Sequence, residues 1–103
     1  MKKIGTQTFK LDNPVTILDT ASIVGKKEAD GPMAKYFDVC LEDEFFGEKT
    51  WEKAESKIIK SAIETVIRKA NIPISDIDYL FAGDLLNQCI SSSFGIRDFE
   101  IPF

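Results

Sequence analysis

The chain has 103 residues, of which 44% are hydrophobic and 29% are charged, a balance typical of a globular protein and different from that of a disordered chain. Its 13 basic and 17 acidic residues give a formal net charge of -4. This sign opposes electrostatic binding to phosphate backbones, so we expect no nucleic-acid partner. The sequence contains no histidine, which excludes Ser-His and Cys-His catalysis within the chain.

The first half of the chain is predicted to be mostly extended and irregular. Lys2 and Lys3 are not followed by an apolar run, so neither a signal peptide nor a membrane span is predicted. Residues 4–10 and 14–24 are rich in β-formers and predict two extended runs, with a short hairpin or an edge pair. From residue 25 to 47 the composition is mixed, which predicts a long irregular connecting segment with one or two helical turns.

The connecting segment ends in an acidic run that is followed by two adjacent aromatic residues. Glu42, Asp43 and Glu44 are predicted to be solvated surface, because acidic runs in loops usually are. Phe45 and Phe46 have two open interpretations, since they can be buried under the loop or can dock a partner subunit.

A helix over residues 51–70 is the clearest predicted element. Thr50 is a suitable N-cap, and Asn71 with Pro73 ends the helix. Trp51 starts the apolar stripe and is predicted to pack in the core rather than to stack on a ligand. The stripe recurs every three or four positions, at Trp51, Ala54, Ile58, Ala62, Val66 and Ala70.

The last third of the chain is predicted to contain a buried strand and a short helix. Residues 77–83 form a nearly continuous apolar run of strand length, typical of a parallel strand buried on both faces. Asp84 stands at the predicted N-cap of a helix that ends at Gly95. The order strand, helix, strand, helix predicts an α/β fold of βαβα order with a mostly parallel, incomplete sheet.

Cys40 and Cys89 are far apart in sequence and outside any CxxC motif. This pattern predicts two small apolar core residues rather than a disulfide or a reactive thiol. A transition-metal site needs histidine or clustered cysteine, so none is predicted, and neither is a cofactor.

Residues 78–88, Asp-Tyr-Leu-Phe-Ala-Gly-Asp-Leu-Leu-Asn-Gln, closely resemble the stage V sporulation protein AD family, which has a thiolase fold related to ketoacyl synthase III. Supporting matches lie at residues 27–32 and 51–55 and at the terminal Ile101-Pro102-Phe103. Together they cover nearly the whole chain in order. The resemblance implies that residues 1–103 are the N-terminal segment of a thiolase-like domain, truncated before the cysteine of the family.

The resemblance also implies a function. Family members bind dipicolinic acid, or its calcium chelate, for uptake into the developing spore, and they work with other stage V sporulation A membrane proteins. We therefore expect a non-catalytic protein, peripheral on the cytoplasmic side of the forespore inner membrane. Neither Cys40 nor Cys89 matches the position of the family's nucleophile.

Asp84, Asn87 and Gln88 are the candidate ligand-binding residues, because they follow the carboxyl end of the predicted strand, where open α/β folds place ligand groups. Simple helix capping by Asp84 is the alternative for that residue. Two other functions stay open: an N-terminal fragment of a ketoacyl synthase or thiolase, and an interaction module that self-associates through its incomplete sheet.

Overall fold

The computed structural model describes residues 1–86 and 88–102. These residues form a mixed α/β chain with short strands and three helices of different lengths. The strands are β1 (Lys2–Ile4), β2 (Thr8–Lys10), β3 (Ile23–Val24) and β4 (Val39–Cys40). The α-helices are α1 (Lys26–Ala29), α2 (Trp51–Ala70) and α3 (Ile90–Ile96), and 3-10 turns occupy Ala34–Tyr36, Ile74–Asp76 and Arg97–Phe99. The predicted α/β composition is confirmed.

The N-terminal hairpin, residues 2–10, overlaps the first stretch that was predicted to be extended. β1 and β2 pair antiparallel, with Ile4 opposite Thr8, and Gly5 takes the left-handed backbone that the turn requires (φ 70°). Residues 11–22 form no helix or strand. The prediction of one run over residues 4–10 was therefore wrong, because Gly5 lets the chain reverse early.

β3 and β4 form a parallel pair, with Ile23 opposite Val39 and Val24 opposite Cys40. α1 and the first 3-10 turn connect them, which agrees with the one or two helical turns predicted for this connecting segment. Parallel strands require such a crossover between them. Leu41, directly after β4, is buried with 6% of its surface exposed.

Helix α2 has the bounds and the caps that the sequence predicts. The Thr50 hydroxyl accepts a hydrogen bond from the Lys53 amide at 3.2 Å. Asn71 adopts the left-handed conformation (φ 54°) that commonly ends a helix. Ala54 is the buried apolar residue of the helix, and most of the remaining apolar stripe is half-buried.

The aromatic residues near the start of α2 pack on one another. Trp51 is 48% exposed, so the prediction that it packs in the core was wrong. Its ring stacks on Phe45 with a centroid distance of 4.0 Å, and Lys57 Nζ lies 4.4 Å from the centroid of the Phe46 ring. Both phenylalanines are half-buried by these contacts.

The acidic segment before α2 is exposed at Glu42, Asp43 and Glu44, as predicted. Asp43 closes the turn, because its carboxylate accepts hydrogen bonds from the amides of Gly47 at 2.8 Å and Phe45 at 3.0 Å. These bonds, led by the one from Gly47, lower the pKa of Asp43 below its ordinary value.

Both cysteines are exposed, which corrects the prediction of two core residues. Cys40 ends a strand of two residues, too short to bury both of its faces. Cys89 lies in a left-handed turn (φ 64°) in front of α3 and is exposed there.

Residues 77–83 form no strand in this structure, in contrast to the buried strand predicted there. A hydrogen bond joins the Leu80 amide to the Pro102 carbonyl oxygen at 2.8 Å. Phe81 is 94% exposed and Tyr79 is 72% exposed. An apolar segment becomes a buried strand only between hydrogen-bonded neighbours, and the described residues do not provide a ladder for it. The mostly parallel sheet of a thiolase-like fold thus stays a prediction.

Candidate functional site

Asp84 ends the irregular segment 77–84 and contacts the start of helix α3. Its Oδ2 atom accepts a hydrogen bond from the Ser92 amide at 2.9 Å. Ser92 is the third residue of α3, and the amides of a first helical turn have no partner within the helix. The negative carboxylate also lies favourably at the positive end of the short helix. Asp84 therefore caps α3 from eight positions earlier in the chain.

The helix begins later than the sequence predicts. It was expected to start directly after Asp84, but α3 begins at Ile90, and Leu85 is 99% exposed. Gln88 (φ 42°) and Cys89 (φ 64°) are consecutive residues with left-handed backbones. Two such residues cannot continue a right-handed helix, so they delay its start.

The three predicted site residues are not all brought together by what the structure describes. Asp84 is half-buried and touches α3, and Gln88 is exposed in the turn before α3. Asn87 lies outside the described residues. Asp84 and Gln88 thus both lie at the start of α3, Asp84 half-buried and Gln88 exposed.

Small side chains set the distance between α3 and α2 next to Asp84. Ser91 and Ser92 are fully buried, and the Ser56 hydroxyl of α2 donates to the Ser91 carbonyl oxygen at 3.1 Å. A Cβ atom on Gly95 would lie 2.8 Å from the Ser56 carbonyl oxygen, closer than real Cβ contacts. The helices can approach this closely because position 95 has no side chain.

Neither of these serines was predicted to be buried or to contact α2. The available signal was the run Ser91-Ser92-Ser93 followed by Gly95, a group of small residues that suits close helix packing. Gly95 was predicted to end the helix, whereas α3 continues to Ile96. Its role is the contact with α2 rather than helix termination.

The described residues contain no group of three or more Cys, Asp or Glu side chains arranged to hold a metal ion. The chemistry of the Asp84 region is therefore that of one carboxylate at a helix terminus. A metal bound there needs ligands from another source, such as a chelating small molecule.

Among residues 1–86 and 88–102, no helix combines the length and the apolar character needed to cross a membrane. The longest helix, α2, has 20 residues and carries charged side chains along its length.

The chain is similar to proteins of bacterial sporulation. The family model described as Stage V sporulation protein AD (SpoVAD) matches residues 5–103. The chain is 36% identical over 103 residues to Stage V sporulation protein AD of Bacillus subtilis (strain 168). That alignment covers 100% of the chain and 30% of the relative. The chain thus spans about a third of the length of the relative that it matches.

Proposed function

The chain belongs to the stage V sporulation protein AD family, and from this premise we propose that it is a non-catalytic ligand-binding protein whose ligand is dipicolinic acid or its calcium chelate. Its role in sporulation follows from the family. The observation that carries the proposal is the 36% identity over the whole chain, which includes the segment at residues 78–88. The activity of the longer family protein is part of the proposal, because the chain spans 30% of that relative.

The ligand chemistry favours a bridging cation at Asp84. Dipicolinate is a dianion, so an ionised carboxylate 4 Å away repels each of its charges by about 1–4 kcal/mol, depending on the local dielectric. Asp84 already accepts the Ser92 amide, so a ligand carboxylate competes with it for that donor. Calcium removes the conflict because it binds carboxylate oxygens of both partners. Capping and cation binding are compatible, since a carboxylate offers about four lone-pair sites.

Asn87 and Gln88 supply amide oxygens in this proposal. Such oxygens are ordinary calcium ligands, and Gln88 lies in the exposed turn next to α3. The proposed site therefore combines the Asp84 carboxylate with two neutral amides around a calcium ion that the ligand itself chelates.

The wider setting is proposed from the family resemblance. We infer a thiolase-like fold for the longer protein and a peripheral position on the cytoplasmic side of the forespore inner membrane. Its partners there are other stage V sporulation A membrane proteins.

A calorimetric titration tests the ligand proposal. The chain is titrated with dipicolinate in the presence and in the absence of calcium, and Asp84→Asn is compared with Asp78→Asn. The Asp84→Asn variant keeps an oxygen that can accept the Ser92 amide but loses the negative charge. We expect calcium-dependent binding that Asp84→Asn weakens and Asp78→Asn leaves unchanged, because Asp78 is exposed and is not one of the proposed ligand-binding residues. Equal binding by all three proteins contradicts the site, and no binding by any of them contradicts the ligand.

The alternative function is acyl transfer by a ketoacyl synthase or thiolase fragment. The chain has no histidine to act as a base, and neither Cys40 nor Cys89 matches the position of the family's nucleophile. We therefore expect no mass increase at Cys89 after incubation with acetyl-CoA. Rapid, stoichiometric acylation, seen by mass spectrometry and lost in Cys89→Ser, supports the enzyme instead.

A further inference from the structure

The N-terminal hairpin of β1 and β2 concentrates positive charge on a chain that is acidic as a whole. Residues 1–11 contain Lys2, Lys3 and Lys10 and no acidic residue, although the net charge of the chain is -4. Charges act separately over short distances, because the Debye length is about 8–10 Å near physiological ionic strength. The charge of the hairpin, rather than the net charge, therefore decides what the hairpin attracts.

No carboxylate of the described residues neutralises these lysines. Within residues 1–86 and 88–102, the ammonium groups of Lys2, Lys3 and Lys10 form no hydrogen bond or ion pair. The carboxylate of Asp12, the first acidic residue of the chain, pairs with the N-terminal ammonium group instead. Lys2 lies directly opposite Lys10 in the strand pair, and like charges at opposed positions destabilise a sheet. An anion outside the chain removes this repulsion.

Apolar side chains accompany the lysines on the hairpin. Ile4 is 48% exposed, Phe9 is 57% exposed and Leu11 is 48% exposed. Phe9 lies opposite Lys3 and shares its face, whereas Ile4 shares the other face with Lys2. Each face thus combines a positive charge with carbon surface. Lysine suits a boundary between water and hydrocarbon, because its stem is apolar and its head is charged.

The rest of the chain leaves the hairpin uncovered. Every residue from 1 to 18 is exposed, and β1 and β2 pack mainly on each other. A two-stranded hairpin on its own is at best marginally stable in water. A surface that accepts both its charges and its apolar side chains therefore stabilises it.

We propose that this hairpin docks on an anionic lipid surface. The lysines contact the phosphate headgroups, and Phe9 and Ile4 enter the boundary between headgroups and acyl chains. Charge complementarity requires an anionic partner, and the exposed apolar side chains favour lipid over nucleic acid, whose phosphate backbone offers them no apolar environment. The inference deepens the peripheral membrane position proposed above and rests on it for its setting, but it does not involve Asp84 or the ligand.

Vesicle flotation of the 103-residue chain tests the proposal. Vesicles of phosphatidylglycerol and phosphatidylcholine in equal parts are compared with vesicles of phosphatidylcholine alone. The double variant Lys2→Gln/Lys10→Gln is compared with Lys27→Gln/Lys49→Gln, which changes the net charge equally on exposed lysines outside the hairpin. The double arginine variant of positions 2 and 10 keeps the charge and reports whether charge or the lysine side chain itself matters.

We expect binding to the anionic vesicles and not to phosphatidylcholine alone. Lys2→Gln/Lys10→Gln should weaken binding by about 25-fold, at about fivefold for each lysine near an anionic surface. The control pair and the arginine variant should bind like the unchanged chain. Raising the salt from about 0.1 M to about 1 M should also weaken binding, because the Debye length falls to about 3 Å.

Phe9→Ser tests the apolar part of the proposal. We expect it to weaken vesicle binding by about tenfold, as the loss of a partly buried aromatic does. Tyr36→Ser is the control, because Tyr36 is 66% exposed and lies outside the hairpin. Equal effects of these two variants overturn the insertion of the hairpin.

Four further results overturn the proposal. They are equal binding to both kinds of vesicle, equal weakening by both glutamine pairs, loss of binding in the arginine variant, and equally tight binding of a short DNA duplex. A change in the mass of the chain caused by Lys2→Gln/Lys10→Gln, with unchanged vesicle binding, assigns the hairpin to a second copy instead.

The same samples separate this inference from the proposed ligand. Lys2→Gln/Lys10→Gln should keep the calcium-dependent binding of dipicolinate, and Asp84→Asn should keep vesicle binding. Dipicolinate binding without vesicle binding is a failure of the hairpin proposal alone. Vesicle binding without dipicolinate binding is a failure of the proposed ligand alone.

Discussion

The Asp38 carboxylate accepts a hydrogen bond from Lys69 Nζ at 2.8 Å and another from the Ser22 amide at 2.7 Å. Lys69 belongs to the last turn of α2, whereas Ser22 and Asp38 immediately precede the paired strands β3 and β4. The Lys69 ammonium also donates to the Thr20 carbonyl oxygen at 2.7 Å. The Lys69–Asp38 ion pair therefore joins the parallel strand pair to the carboxyl end of the long helix, where a cation also suits the helix dipole, and Asp19 lies 3.6 Å from the same ammonium group.

The Lys69–Asp38 pair predicts how stability depends on pH. The hydrogen bond from Lys69, followed by that from the Ser22 amide, lowers the pKa of Asp38 below 3.8, and Asp38 raises the pKa of Lys69 above 10.5. When the pKa of a carboxyl group is lower in the folded than in the unfolded state, the ionised group stabilises the fold at any pH above its unfolded-state pKa. This stabilisation is lost as the pH falls through the folded-state pKa. For Lys69 the stability is present below 10.5 and is lost as the pH rises through its raised pKa.

We therefore expect Asp38→Asn to lower the melting temperature at neutral pH and to reduce the loss of stability on acidification below pH 3.8. Thermal melts between about pH 2 and pH 7 measure this, in the range where carboxylates titrate. Asp76→Asn is the control, because its side chain is exposed and has no ion pair among the described residues. The same melting temperature and pH profile in both variants would show that the pair does not stabilise the fold.

Gly95 predicts a large effect of adding a single methyl group. In Gly95→Ala the new Cβ lies 2.8 Å from the Ser56 carbonyl oxygen and 3.3 Å from Ile59, so α3 has to move away from α2. We expect a loss of about 1–3 kcal/mol in the free energy of unfolding, as for other overpacked contacts. Urea denaturation measures it. Gly83→Ala is the matched control, because its Cβ meets nothing within 4 Å, and an equal loss in both variants contradicts the packing argument.

The exposed apolar side chains of residues 79–86 predict self-association. Phe81 is 94% exposed and Leu85 is 99% exposed, in a segment that forms no strand. We expect light scattering to show an average mass that falls when the chain is diluted from about 100 μM to about 1 μM. A dissociation constant in the micromolar range corresponds to a free energy of association of roughly -8 kcal/mol. Phe81→Ser should shift the transition to higher concentration by about tenfold, since it removes a large apolar contact.

Tyr36→Ser is the control for this measurement, because Tyr36 is an exposed aromatic (66%) outside the segment. A monomer over the whole concentration range would mean that the exposed side chains do not associate. An equal shift in both variants would mean that association is not specific to residues 79–86.

Helix α2 is the part of the fold that local sequence determined most completely. Thr50 accepts the Lys53 amide, Asn71 adopts the left-handed cap, and apolar residues repeat at helical spacing between them. Each of these signals depends on residues that are close together in the sequence. They can therefore be predicted without knowledge of the tertiary contacts. The family assignment has the same origin, since it rests on the order of residues along the chain.

The candidate site depended on longer-range contacts and was predicted only in part. The sequence identified Asp84 as a helix cap, but the residue it caps is Ser92, because two left-handed residues, Gln88 and Cys89, postpone the helix. Left-handed backbone at non-glycine residues has weak sequence signals. The packing of α3 against α2 was not predicted either, since contacts such as Ser56 with Ser91 join residues 35 positions apart.

The sequence by itself determined the mixed α/β composition, the bounds of α2 and the family. Tertiary structure decided that Phe81 is exposed rather than in a buried strand, and that Gly95 serves a helix contact rather than a helix end. The physical reason is the range of the interactions: capping and helical periodicity are local, whereas burial of a strand or close approach of two helices depends on partners distant in sequence.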